Sequence, residues 1–91
     1  MDEPLDPAAV GPLLRQILKS GRFTYSRHAL KEMANDGLTT VDCVNVLRGG
    51  VPRPGEYESG SWRYCVETAK ITVVVAFRSE NELVVVTAWR A

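Results

Sequence analysis

The chain of 91 residues contains one histidine, His28, so a mechanism that uses two imidazoles as base and acid is excluded by count. A metal site built from histidines is excluded in the same way. At about 100° per residue along a helix, the apolar stripe of Ala29, Leu30, Met33 and Ala34 lies on one side and His28 falls nearly opposite. The imidazole is therefore expected to face away from the core. Tyr25, Arg27, Lys31 and Glu32 stand near it in sequence, and the C-terminal half offers Arg63, Tyr64, Arg78, Thr87 and Arg90. Each has an ordinary reading as well: polar residues on a wet helix face, or strand arginines that blunt a sheet edge. Together, however, an exposed imidazole, several guanidinium groups and a phenol are enough to cleave RNA without a metal. A base takes the proton of a 2′-hydroxyl, fixed cations stabilise the extra charge on phosphorus, and an acid protonates the leaving oxygen. The candidate catalytic residues are His28, Arg63, Tyr64, Thr87 and Arg90.

Strand parity limits how these can meet. In a regular last strand Leu83, Val85, Thr87 and Trp89 share one face, while Val84, Val86, Ala88 and Arg90 share the other. Trp62, Tyr64 and Val66 likewise oppose Arg63, Cys65 and Glu67. Thr87 and Arg90 then face opposite ways, and only a bulge near the chain end would change that. Trp62, Tyr64 and Trp89 are candidates for stacking bases on an open sheet face, although such residues more often fill a core.

Other chemistries lack support. There is no glycine-rich phosphate loop, no paired-cysteine motif and no Gly-x-Ser-x-Gly, and no cofactor site is expected. Cys43 and Cys65 fit neither a disulfide framework nor metal-ligand spacing, and both are expected to be core thiols. Eleven basic and eleven acidic side chains cancel, so a nucleic acid would have to be held by a local patch and not by the field of the whole molecule.

The elements that must position these residues follow from the periodicity. The composition, 45% apolar and 24% charged, is that of one soluble globular domain, 1–91. The longest strongly apolar run, Ile71 to Phe77, is far short of the roughly 20 residues needed to cross a bilayer. No export signal opens the sequence, and a cytoplasmic protein is expected. Residues 1–5 have no apolar period and are expected to fray. Asp6-Pro7 then opens a first helix ending near Ser20, with Gly11-Pro12 a second possible start. A second helix is expected over Ser26–Asn35. A third starts at the Thr39/Asp42 capping-box pattern and ends at Gly49-Gly50. From Val51 the period becomes strand-like, with runs Trp62–Thr68, Ile71–Arg78 and Leu83–Arg90 joined by turns short enough to force an antiparallel meander. Val51–Glu58, broken by Pro52 and Pro54, is an edge strand or loop. The fold class is α+β: two or three N-terminal helices on one face of a three- to four-stranded antiparallel sheet, with the opposite face open.

A family resemblance is carried by the stretch ILKSGRFTYSRHALKEMANDGLTTVDCVNVLRGG, which ends at Gly50, and by the closing VVVTAWR. The first holds a Ser/Thr-x-His-Ala box followed by Met and then a Gly-Leu-Thr helix start. The second ends on Val-Thr, an aromatic residue and a basic one. They resemble small MqsR-type and RelE-like toxins, and especially an uncharacterised small domain family with this layout. The resemblance spans roughly Val10 to Arg90. It implies a sheet with helices on one face, as in the barnase and RelE-like nucleases, and a metal-independent endoribonuclease restrained by an antitoxin. By position His28 matches the histidine of the helical box, and Thr87 and Arg90 match the terminal strand. The expected partners are RNA, messenger RNA free or on the ribosome, and a cognate antitoxin protein; no membrane partner is expected. The alternative is an inactive protein-interaction module on the same scaffold, in which the open sheet face or the final strand pairs with another chain.

Overall fold

The computed structural model describes residues 1–91, in the order α1 (Pro7–Ser20), β1 (Arg22–Tyr25), α2 (Arg27–Asn35), α3 (Thr40–Gly49), β2 (Val51–Pro52), β3 (Glu56–Glu58), β4 (Ser61–Glu67), β5 (Ile71–Ser79) and β6 (Glu82–Arg90). It is an α+β fold, with the helices packed on one side of a mostly antiparallel sheet. The helices start where their caps dictate. The Asp6 carboxylate accepts from the Ala8 N–H at 2.9 Å with Pro7 behind it, and α1 runs through Pro12 without a restart. The Thr39 N–H donates to the Asp42 carboxylate at 2.8 Å and the Asp42 N–H donates to the Thr39 hydroxyl at 3.2 Å, the capping box expected for α3.

The sheet is larger than the expected three or four strands. Its order is β1-β6-β5-β4-β2, with β3 also paired to β4. Two short segments account for the difference. Arg22–Tyr25, too short to show a strand period, lies parallel to β6 in the register Arg22↔Glu82 to Tyr25↔Val85. The proline-broken segment runs along β4 in two pieces: Val51 and Pro52 pair with Glu67 and Val66, and Glu56–Glu58 pair with Ser61–Arg63. Ser59 and Gly60 have φ of 52° and 86°, the left-handed pair that a two-residue hairpin turn requires.

The core holds Val10, Leu14 and Ile17 of α1, Ala29 and Met33 of α2, and Cys43, Val46 and Leu47 of α3 against inward residues of β4, β5 and β6. The apolar stripe of α2 is narrower than expected. Leu30 is 49% exposed and Ala34 is exposed too, because α2 lies beside β6 at the sheet margin and buries only one line of residues. Tyr64, completely buried in the core, ties down the segment before α1. Its hydroxyl donates to the Glu3 carboxylate at 2.8 Å and accepts from the Leu5 N–H at 3.0 Å.

Gly55 lets the chain pass over that ring: a Cβ at this position would lie 2.7 Å from Cε1 of Tyr64. Because the ring is fixed at both ends, Gly55→Ala is expected to cost about 1–3 kcal/mol, measured as a lower urea midpoint with unchanged slope.

Candidate functional site

The open face of the sheet is hollowed into a cavity of about 300 Å³ lined by His28, Arg63, Cys65, Thr87 and Trp89, with Glu56, Glu58, Pro54, Val74 and Val86 completing it. Its floor is one row across three strands, Thr87↔Val74↔Cys65, roughly 10 Å wide at the usual strand spacing. α2 stands at one side of the row and the β3–β4 hairpin at the other.

Thr87 and Trp89 reach this face because β6 is not regular. Val74 pairs with Thr87 but Val75 pairs with Val85, so Val86 is an extra residue, a bulge. The bulge reverses the alternation after Val85. Leu83, Val85 and Ala88 are buried on the helix side, while Val86, Thr87 and Trp89 line the cavity. The regular parity of the sequence reading, which placed Thr87 with Leu83 and Val85, is corrected by this one residue.

Ser26, the N-cap of α2, holds the bulge. Its N–H donates to the Val85 carbonyl at 3.0 Å and its hydroxyl donates to the Val86 carbonyl at 2.8 Å. The same Oγ accepts from the Ala29 N–H at 2.9 Å and so starts the helix. At the far end of α2, the Arg90 N–H donates to the Asp36 carboxylate at 2.8 Å, and the Arg90 Nε–H donates to the Asp36 carbonyl at 2.9 Å. Both ends of α2 are thus fastened to the edge of β6. His28, two residues after the cap, is exposed and held at the cavity rim, turned from the core as its helical position indicated.

Of the five candidate residues, the cavity brings together His28, Arg63 and Thr87. Tyr64 does not join them. It alternates with Arg63 onto the core face, where burial raises its phenol above the ordinary value. Arg90 is not a cavity residue either: its side chain is spent on the carbonyls that end α2. Trp62 sits on the Tyr64 side, edge-on to Tyr57 with ring centres 5.4 Å apart, so only Trp89 of the three aromatics faces the hollow, 39% exposed. Cys43 is a core thiol as expected, but Cys65 is half-buried in the cavity floor.

Glu56 and Glu58 are not among the candidates that residue type and spacing single out. The Ser59-Gly60 turn was their signal, since a two-residue hairpin sets Glu56 opposite Arg63 and both carboxylates on the Arg63 face. Despite that register, Arg63 has no carboxylate within ion-pair distance, and its Nε is buried without any hydrogen-bond partner. The one ion pair of the chain is Arg53 with Glu67, 2.6 Å apart at the sheet margin. Buried donors are almost always satisfied, so this unpaired N–H, on a side chain that lines the hollow, is an exception that the chain's own contacts do not explain. No group of three or more His, Cys, Asp and Glu side chains is placed to hold a metal ion.

A family model described as a domain of unknown function, DUF4258, matches residues 25–90. The chain belongs to this family. No curated protein and no solved structure matches it. The DUF4258 segment contains every residue of the cavity, with the Ser26 cap at its start, and leaves α1 and most of β1 outside. In this member of DUF4258 the serine of the Ser-x-His-Ala box fastens the helix to the bulge and the histidine faces the hollow.

Removing the Ser26 hydroxyl takes away the helix cap and leaves the partly buried Val86 carbonyl unmet. Ser26→Ala is expected to lower stability by about 2 kcal/mol, read from chemical denaturation, and to speed amide exchange at Ala29. The thiol of Cys65 gives a second check. Burial first, then the charges of Glu56, Glu67 and Glu58, push it above the ordinary cysteine value. Thiolate is therefore scarce at neutral pH and forms as pH rises beyond about 8.5. Alkylation of Cys65 by iodoacetamide should be slow at pH 7 and accelerate through the alkaline range, and Glu56→Gln should move that rise to lower pH.

Proposed function

We propose that this cavity binds single-stranded RNA and cleaves it without a metal, and that Arg63 receives the scissile phosphate. The observation that carries the reading is the buried, unpartnered Nε of Arg63 in the same hollow as the lone imidazole. A phosphodiester supplies the acceptor that this N–H lacks, and the guanidinium fork suits its geometry. The Thr87 hydroxyl stands in the floor as a further donor, and the exposed face of Trp89 offers a surface on which a base can stack.

Chemistry with one histidine needs a second proton carrier, and the hairpin carboxylates provide it. In the proposed step a Glu56 or Glu58 carboxylate accepts the 2′-hydroxyl proton and the 2′-oxygen bonds to phosphorus. The bond from phosphorus to the 5′-oxygen breaks, and His28 as imidazolium protonates that oxygen. The products are a 2′,3′-cyclic phosphate and a 5′-hydroxyl. Fixed positive charge from Arg63 stabilises the charge that builds on the phosphoryl oxygens. Local recognition of this kind suits a chain whose net charge is zero, because one half-buried arginine with an unpaired Nε–H takes the place of a broad basic surface. The resemblance to RelE-like and MqsR-type toxins supports the same reading and adds its setting, a toxin restrained by an antitoxin protein.

Purified protein incubated with single-stranded RNA in EDTA is expected to yield fragments ending in 2′,3′-cyclic phosphate, and expression is expected to arrest growth. His28→Ala should lower the cleavage rate by about 100-fold or more. Arg63→Ala should lower it by about 100- to 1,000-fold with incomplete rescue by Arg63→Lys, which restores the charge without the fork. Lys19→Ala, at the exposed end of α1, should leave cleavage unchanged. Intact RNA with the unaltered protein, or cleavage that survives both cavity substitutions, would remove this reading.

A further inference from the structure

The two edges of the sheet differ in kind. On the β4 side the outer segments are two and three residues long, and Pro52 and Pro54 lack the N–H that another strand would need. On the other side β1 has no such protection. Arg22 and Ser26 donate to the Asn81 and Val85 carbonyls at 2.8 and 3.0 Å, which sets the backbone of Arg22 and Thr24 toward β6. The N–H and C=O groups of Phe23 and Tyr25 consequently point away from the sheet, and no further strand meets them. Beside this free edge lies a second hollow, about 400 Å³, between β1 and the outer face of α3. Phe23, Tyr25, Val41 and Val44 form its apolar walls, and Val41 is 65% exposed. Its only charged residue is Arg48, with Arg22 exposed at the start of the strand.

We propose that β1 and the outer face of α3 form a docking site for an extended segment of an acidic partner protein, which adds to the sheet as a strand beside β1. The unpaired main-chain groups of Phe23 and Tyr25 require an extended backbone. The apolar walls require aliphatic side chains at alternate positions of that segment, the period of a strand. Arg48, exposed and with no carboxylate among the residues of the hollow, favours an acidic residue over a basic one in that segment. A second copy of this chain fits poorly, because its own β1 would bring another Arg22 and Arg48 and no carboxylate to answer them. The final strand, considered from sequence as a pairing surface, is enclosed by β5 on one side and by β1 and α2 on the other. The site lies on the helix side of the sheet, so it is independent of the cavity and of the ribonuclease reading.

The test uses the full chain and two fluorescein-labelled octapeptides, one alternating valine with glutamate and one alternating valine with lysine. The glutamate peptide is expected to bind saturably by anisotropy, about tenfold or more tighter than the lysine peptide, and to slow amide exchange at Phe23 and Tyr25. Arg48→Glu should reverse the preference, and because Arg48 is exposed the variant should fold. Absence of saturable binding would overturn the proposal. So would binding that leaves the Phe23 and Tyr25 amides unprotected, or a preference that Arg48→Glu does not move. A chain that elutes as a dimer with these amides already protected would assign the edge to a second copy and overturn it equally.

Discussion

The arrangement of the open face depends on Ser26 holding the bulge of β6. One residue donates from its N–H to Val85 and from its hydroxyl to Val86, and the same hydroxyl oxygen caps α2. A bulge leaves carbonyls out of the ladder, and a helix start leaves N–H groups without partners. Here the Ser26 hydroxyl meets both, donating to the Val86 carbonyl of the bulge and accepting from the Ala29 N–H of the helix. The extra residue carries Thr87 and Trp89 to the open face while Ala88 stays in the core, and the helix that begins at the same point sets His28 above them.

The two faces of the sheet then do different work. On the helix side Tyr64, Val66, Val73, Val75, Leu83 and Val85 are sealed against the helices and supply the hydrophobic stabilisation. On the open side the central strand is still covered, with Thr72, Val74 and Ala76 buried, but Arg63, Cys65 and Thr87 of the flanking strands are only half-buried, so polar groups stand there outside the core. Arg63 is the limiting case, since its Nε is shielded from water and yet has no partner, an arrangement that costs stability in the unliganded protein. The proposed function would give that cost a purpose, with a phosphate oxygen as the acceptor that the chain does not supply.

Much of this was legible in the sequence. The caps at Asp6 and Thr39, a second helix opening at about Ser26, the three main strands and the outward turn of His28 all follow from local chemistry that the tertiary structure does not override, whereas the capping role of Ser26 itself shows only in the structure. Arg63 and Cys65 alternate with Tyr64 and Val66 as parity requires, although the chemistry had grouped Tyr64 with Arg63. What was hidden depended on partners remote in the chain. The bulge at Val86 lies within a run of valines, where no residue marks the slip, and it becomes visible only through its bonds to Ser26, 60 residues earlier. β1 is too short to carry a period and exists because β6 offers it an edge. Arg90 is drawn to Asp36 at the end of α2, a contact between exposed residues 54 positions apart that leaves no periodic trace. The carboxylates Glu56 and Glu58 had a local signal in the Ser59-Gly60 turn, and the prolines before them obscured it.

In the proposed function the unpaired Nε–H of Arg63 and the lone imidazole of His28 address one ligand. An NMR titration that follows the Nε–H of Arg63 and the ring protons of His28, while a 2′-O-methyl dinucleotide that cannot be cleaved is added, tests it directly. Both sets of signals are expected to move together with a single dissociation constant, the Arg63 proton in the sense of a new hydrogen bond. Signals that stay still at saturating ligand, or a shift of one group without the other, would contradict it.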